Sequence, residues 1–234
     1  MNSFDKLVID LVFKLFSRSY YFFHTVEFMA ADNLLKGGVV AVIFWYLWFK
    51  ASPDDQAKRV QLIATLISVF FVMVITLSFA GLAPFRERPF LNPELKFNSL
   101  IPFNEMLTKF SSFPSDHAAL FASLATGFYF VSRKTGIITF VFVFIYILFP
   151  RLYLGYHYPT DVLAGTVIGV SITVFFSRSV AVKNIISKTI MNFSTKYPEY
   201  FYAFLFVVTY QIADLFGGCR EILGYIHNLY KHQF

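Results

Sequence analysis

Charge is scarce in this chain and cysteine nearly absent. Only 15% of its 234 residues are Asp, Glu, Lys or Arg, where soluble domains run nearer a quarter. A water-facing globule is hard to build from such a composition. The apolar side agrees: 57% of residues are hydrophobic, 21% are aromatic, and mean hydropathy is +0.60. The lone cysteine, Cys219, excludes an internal disulfide and offers no metal-site spacing. No carboxylate cluster suggests a metal, so the expected metal and cofactor requirement is none. Internal repeats and low-complexity stretches are missing too. Asp5 and Asp10 interrupt what would be the apolar core of a cleavable signal. These absences leave one class, an all-α polytopic membrane helix bundle, expected as one domain over residues 1–234.

Hydrophobic runs divide the chain into about six expected spans. They cover residues 34–49, 60–80, 116–132, 136–149, 161–176 and 200–216, the first with an optional extension back through 26–31. Trp45, Tyr46, Trp48 and Lys50 form an interface belt at the end of the first. Residues 52–55, Ser-Pro-Asp-Asp, read as a capped turn. Pro150 is expected to stop the fourth span. Several runs are shorter than the roughly 20 residues that cross a standard bilayer. Residues 3–18 differ: Phe4, Leu7, Val8, Leu11 and Leu15 share a face, and Asp5, Lys6, Asp10 and Lys14 break any spanning run. They are expected to form an interfacial amphipathic helix lying on the bilayer; packing on the bundle is the alternative.

The net charge is +6. Its basic residues stand singly at segment ends, a pattern that suits lipid head groups or an anionic substrate and not nucleic acid. Two crossings separate the 85–115 loop from the 150–160 loop, so both fall on one face. The other face carries Lys50, Lys58, Arg59, Arg133, Lys134, Arg178, Lys183, Lys188 and Lys196 in short loops. Their density favours that face as cytoplasmic, which puts the N-terminus and the polar motifs outside the cytoplasm.

Three polar stretches sit at the mouths of apolar segments on that motif face. They are Arg86-Glu87-Arg88-Pro89, then Ser111-Ser112-Phe113-Pro114-Ser115-Asp116-His117, then Arg151 to Asp161. Arg151 is permanently charged and suited to bidentate phosphate contact. Asp161 follows His157 by four residues, one helical turn, and is expected to accept from one imidazole nitrogen, leaving the other free to attack. His117 opens the third span, where Ser115 can cap and helix N–H groups favour an anion. Two imidazoles, three arginines and helix N-termini make an oxyanion site in which one His attacks and the other donates a proton. Each group alone has a bland reading, as anchor, turn or cap. Ionisable residues at membrane helix ends are functional candidates by default, and here they share one face.

Arg88-Pro89, Pro114-Ser115-Asp116-His117 and Arg151-x5-His157-x3-Asp161 together resemble the three-part signature of the type 2 phosphatidic acid phosphatase superfamily. The resemblance covers residues 86–165. It implies a metal-independent membrane lipid phosphatase working through phosphohistidine. By that resemblance His157 is the nucleophile, Asp161 its partner and His117 the acid for the leaving group, while Arg88, Ser115 and Arg151 bind phosphoryl oxygens. One position departs: the family's first motif opens with a Lys seven residues before its Arg, and Gly81 stands there. Arg86 is the expected substitute for that charge. Within the family, Arg86-x-Arg88-Pro89-Phe90 and 112–118 resemble the bacitracin-resistance type of undecaprenyl-diphosphate phosphatase. That implies a bactoprenyl diphosphate substrate, a bacterial plasma membrane and an extracytoplasmic site. Phosphatidylglycerol phosphate, phosphatidic acid and lipid A phosphate remain alternative substrates. A lipid phosphotransferase and a non-catalytic transporter are the other classes. The mixed loop 91–110 reads as a lid on the bilayer or as a packed turn, and Gln211 and Asp214 as bundle packing.

Overall fold

A computed structural model describes residues 2–16, 19–51, 55–95, 97, 108 and 110–217. Cys219, the turn residues 52–54 and most of the 91–110 loop lie outside the described residues. Within them the regular structure is helical, with no strand.

Helix α1, Ser3–Leu15, is capped by Asn2, whose side chain accepts from the Asp5 N–H. Helix α2, Tyr20–Ala31, is capped by Ser19. Helix α3, Leu34–Lys50, opens on a wide π turn at Leu34–Gly38. Helices α2 and α3 together are long and apolar enough to cross a membrane, but they bend by 66° at their junction. The extension through 26–31 therefore belongs to a separate helix, because Asp32 ends α2 and caps α3 by accepting the Leu35 N–H at 2.7 Å.

Helices α4, Gln56–Leu82, α6, Arg133–Tyr153, and α7, Pro159–Arg178, each have the length and hydropathy to span. Helix α5, Asp116–Val131, has only 16 residues, about 24 Å of helix. Its length matters less because α4, α6 and α7 surround it and bury most of its side chains. After Ser179, α8, Val180–Ile185, runs through a π turn at Ile186–Met191 into Asn192–Lys196, and α9, Pro198–Ala213, comes next.

Pro150 does not stop α6. A π turn at Phe144–Leu148 widens the helix just before it, so the proline falls in the first turn of the next segment, where its missing N–H has no intrahelical acceptor to serve.

Three helices form the centre. Ser68 of α4, Ser123 of α5 and Thr173 of α7 meet in a buried hydroxyl cluster, with Ser123 Oγ and Thr173 Oγ1 at 2.6 Å and Ser68 Oγ and Thr173 Oγ1 at 3.1 Å. Gln61 Nε2 donates to Ser177 Oγ at 2.7 Å, tying α4 to α7 again. Small residues let α5 and α7 approach: Gly165 faces the backbone of Ser115, and Gly169 that of Ala119. This glycine pair, one turn apart, is the close-contact device of membrane helices. It sets the starts of α5 and α7 side by side.

Helix α1 packs on the bundle through Asp5 and Ile9, both buried, and turns Phe4, Leu7, Leu11 and Leu15 outward. Its amphipathic character is as expected. Ile9 sits with Leu95 and Tyr158, and α2 adds Phe23, Val26 and Ala30 against Tyr153 and Leu154.

Candidate active site

Backbone hydrogen bonds sew the three polar stretches together. Ser112 N–H donates to Arg86 O at 2.9 Å, Phe90 N–H to Gly155 O at 3.1 Å, and Ser115 N–H to Asp161 O at 3.1 Å. Gly155 holds a left-handed φ of 67° at the turn that leads from α6 into α7. Arg88, Ser115, His117, Arg151, His157 and Asp161 are thus gathered where α5, α6 and α7 meet. An apolar recess lined by Val42, Trp45, Tyr46, Phe49 and Lys50 lies on α3 and includes none of them.

His157 is buried, at 4% exposure, in the turn before α7. Its Nδ1 is 2.8 Å from the carbonyl oxygen of Ser112. A carbonyl only accepts, so Nδ1 carries the proton and Nε2 keeps a free lone pair. Burial, then the Arg88 and Arg151 charges, push the ring's pKa down from 6.5 to about 3. The ring is a neutral base with one nitrogen oriented by the backbone.

Asp161 approaches the same Nδ1 only to 4.0 Å. Its Oδ2 accepts the Tyr158 N–H at 2.8 Å in a capping box, and its Oδ1 accepts from Arg86 Nη1. The expected Asp161–His157 hydrogen bond is therefore replaced by the Ser112 carbonyl, because position N3 of α7 draws the carboxylate to the helix start.

Within the site, the imidazole with a carboxylate at hydrogen-bond distance is His117. Its Nδ1 lies 2.8 Å from Asp116 Oδ1, which also accepts the His117 N–H at 2.7 Å. Asp116 lies outside the expected set of site residues; an acid beside a His at a helix start is the signal that marks it. Ser115, fully buried, accepts the Ala118 N–H on Oγ at 3.4 Å. These side chains already occupy amides of α5's first turn, so anion binding here leans on side-chain cations.

Arg88 is buried and donates from Nη1 to the Tyr156 carbonyl at 2.8 Å. Arg151, also buried, reaches the Ala30 carbonyl with Nη2 at 3.4 Å and lies over the Tyr156 ring at 5.4 Å. Its Nε has no hydrogen-bond partner among the described residues.

Arg86 is engaged otherwise. Its guanidinium pairs with Asp161 and, at 2.6 Å, with Asp5 of α1, and it stacks on the Tyr158 ring at 4.1 Å. Asp5 further accepts from the Thr160 N–H and Oγ1, each at 2.9 Å. With two carboxylates already on it, Arg86 braces α1 and the start of α7. By sequence Asp5 reads as a break in an apolar face, and no local pattern pairs it with a residue 81 positions on. Among the described residues no three His, Cys, Asp or Glu side chains converge as a metal cluster.

A family model described as the PAP2 superfamily matches residues 60–185, from α4 to α8 and through all three polar stretches. The chain belongs to the PAP2 superfamily. The resemblance carried by the three motifs is borne out at that level. Among curated proteins, the bacitracin transport permease protein BcrC of Bacillus licheniformis is 40% identical over 65 residues, 28% of this chain and 32% of that protein. The putative undecaprenyl-diphosphatase YbjG of Escherichia coli (strain K12) is 28% identical over 142 residues, 61% of this chain and 65% of that protein. The matched stretches thus span from about a third to just under two thirds of these relatives' lengths. No solved structure matches. Helices α1 to α3 of this PAP2-superfamily chain fall before the matched stretch, so Asp5 is an element the family model does not describe.

The neutrality of His157 has a consequence for stability. In the unfolded chain this ring takes a proton below about 6.5, and in the folded chain not until about 3. The unfolded state then binds more protons across that window, so folding stability falls as pH drops from 6.5 towards 3. The thermal midpoint in detergent is expected to fall over that range, and a His157→Asn variant to show a shallower fall.

Proposed function

We propose that this chain is a membrane lipid phosphatase that hydrolyses a polyprenyl diphosphate of the undecaprenyl class to the monophosphate through phosphohistidine. The observation that carries the reading is the buried His157, its Nδ1–H held by the Ser112 carbonyl, beside a second imidazole backed by Asp116. Family membership and the names of the relatives support the substrate class. The apolar outer surface suits a lipid tail whose anionic head reaches the helix ends.

His157 Nε2 attacks the terminal phosphorus, and an N–P bond forms as the P–O bond to the leaving group breaks. With the anionic substrate bound, His117 takes up a second proton, and the leaving oxygen receives it from Nε2 while the Nδ1–H stays on Asp116. Water then attacks the phosphohistidine and gives its proton to His117. The N–P bond breaks, and inorganic phosphate departs. Arg88 and Arg151 balance the equatorial oxygens. Ser115 secures the start of α5, and Asp161, braced by Arg86, that of α7. The site opens on the extracytoplasmic face of a bacterial plasma membrane in this reading.

Phosphate release by purified protein, with chelator present, tests it against undecaprenyl diphosphate, phosphatidylglycerol phosphate, phosphatidic acid and lipid A phosphate. Preference for the diphosphate is expected. No release from any of them sinks the hydrolase reading.

The leaving group supplies a finer test. A diphosphate expels a phosphate monoester, whose second pKa is about 6, whereas a lipid monophosphate must expel an alkoxide. His117→Ala is expected to lose on the order of 10² to 10⁴ in kcat on a monophosphate and clearly less on a diphosphate. Equal losses on both count against an acid role for His117.

A further inference from the structure

Lys36 stands outside all three polar stretches. It lies in the π turn that opens α3, and it is 2% exposed. Buried lysines are rare unless paired with an anion. Yet among the described residues Lys36 Nζ bonds only backbone carbonyls, Ala30 O at 2.6 Å and Ala31 O at 3.5 Å. Ala30 O is also the acceptor for Arg151 Nη2 at 3.4 Å. Two buried basic side chains therefore converge on one neutral oxygen, and among the described residues neither is in an ion pair. Arg151 also has a buried Nε without a hydrogen-bond partner among the described residues.

The charges around the pair are those of the site. Arg151, Asp32 and Asp116 act on Lys36, and Lys36 in turn acts on His117. Asp116 is committed to the His117 ring and amide, and Asp32 to the Leu35 amide. Like charges held close in a low dielectric repel strongly unless an anion joins them. The bend between α2 and α3 delivers this ammonium to the mouth of α5 and α6.

We propose that Lys36, with Arg151, forms an anion subsite that binds phosphate oxygens of the substrate, and that this third cation suits the site to a diphosphate in preference to a monophosphate. The subsite deepens the phosphatase reading and rests on it for its substrate. A diphosphate carries more negative charge than a monophosphate, and Arg88 and Arg151 alone leave part of it unmatched. A flexible ammonium can follow the second phosphate while the planar Arg151 holds the first.

Lys36→Met and Lys36→Arg, purified in detergent, test this with two probes. The substrates are farnesyl diphosphate and farnesyl monophosphate, read as KM and kcat. The binding probe is inorganic pyrophosphate, read by titration calorimetry without turnover. Lys36→Met is expected to raise KM for the diphosphate and the Kd of pyrophosphate by roughly 10- to 100-fold, with a smaller change on the monophosphate. Lys36→Arg, which keeps the cation if the methionine variant folds poorly, is expected to recover most of the affinity. Unchanged KM and pyrophosphate Kd in Lys36→Met, with or without a lower melting temperature, overturn the proposal and leave Lys36 as a cap on α2. Wild-type protein that binds pyrophosphate through Lys36 yet releases no phosphate from any lipid upholds the subsite and removes the phosphatase reading instead.

Discussion

His157→Ala is expected to abolish phosphate release, with kcat falling by on the order of 10⁴ to 10⁶ as for other removed nucleophiles. The ring is neutral, buried and held through Nδ1 by the Ser112 carbonyl, so Nε2 is the unprotonated nitrogen in a region crowded with cations. His117 does not substitute for it, because it stands on a different element, at the start of α5 with its Nδ1 on Asp116, and serves the leaving group. The fold should survive the change. The ring makes one backbone hydrogen bond, and losing it costs about 1 kcal/mol. A small cavity adds to that cost. Purified His157→Ala should therefore keep its helical circular dichroism, and substrate affinity should stay near wild type because Arg88 and Arg151 remain. Burst experiments with radiolabelled substrate should give acid-labile, alkali-stable phosphoprotein in the wild type and none in the variant. Turnover retained within tenfold would remove His157 from the nucleophile's position.

Gly165→Ala is the second large effect, and it comes from packing. A Cβ at Gly165 overlaps the carbonyl oxygen of Ser115 and crowds Ala118 and Ala119. The obstacle is backbone on a helix packed on several sides, so α5 and α7 must separate. Overpacking of this kind costs about 1–3 kcal/mol, and a misplacement of about 1 Å can cost 10²-fold in rate. Ser115, Asp116 and His117 ride on α5, whereas His157 and Asp161 belong to the start of α7, so the separation acts across the site. About 100-fold loss in kcat/KM is expected, together with a lower melting temperature. Gly81→Ala is the control: nothing lies within 4 Å of a Cβ there, and alanine is the better helix former. Equal behaviour of the two variants would mean that the close approach of α5 and α7 does not set the site.

The helical bundle was legible because apolar runs of this length have few other solutions in a chain with so little charge. Sequence and structure part where an element's end depends on its neighbours. Pro150 reads as a stop, but the π turn before it absorbs the missing donor. Residues 26–31 read as the start of a span, but α2 turns away by 66°. The motifs were legible for a different reason. Histidine, arginine and aspartate at the mouths of apolar segments are costly there, and they recur in three places that two crossings bring to one face.

Composition and motif spacing thus suffice for the class and the parts: an all-helical polytopic bundle, and the set Arg88, Ser115, His117, Arg151, His157 and Asp161 in one region. The partners come from the packing of the helices. His157 donates its hydrogen bond to a carbonyl 45 residues away, Asp161 turns to the helix start and to Arg86, and Arg86 is claimed by Asp5 from the chain's first helix. Lys36 reaches Arg151 through a carbonyl that neither motif nor periodicity marks. The physical reason is range. Hydrophobic period and residue type act over a few positions and are written locally, whereas a charge's partner is whichever group the packed helices leave within about 3 Å, and that distance exists only after folding.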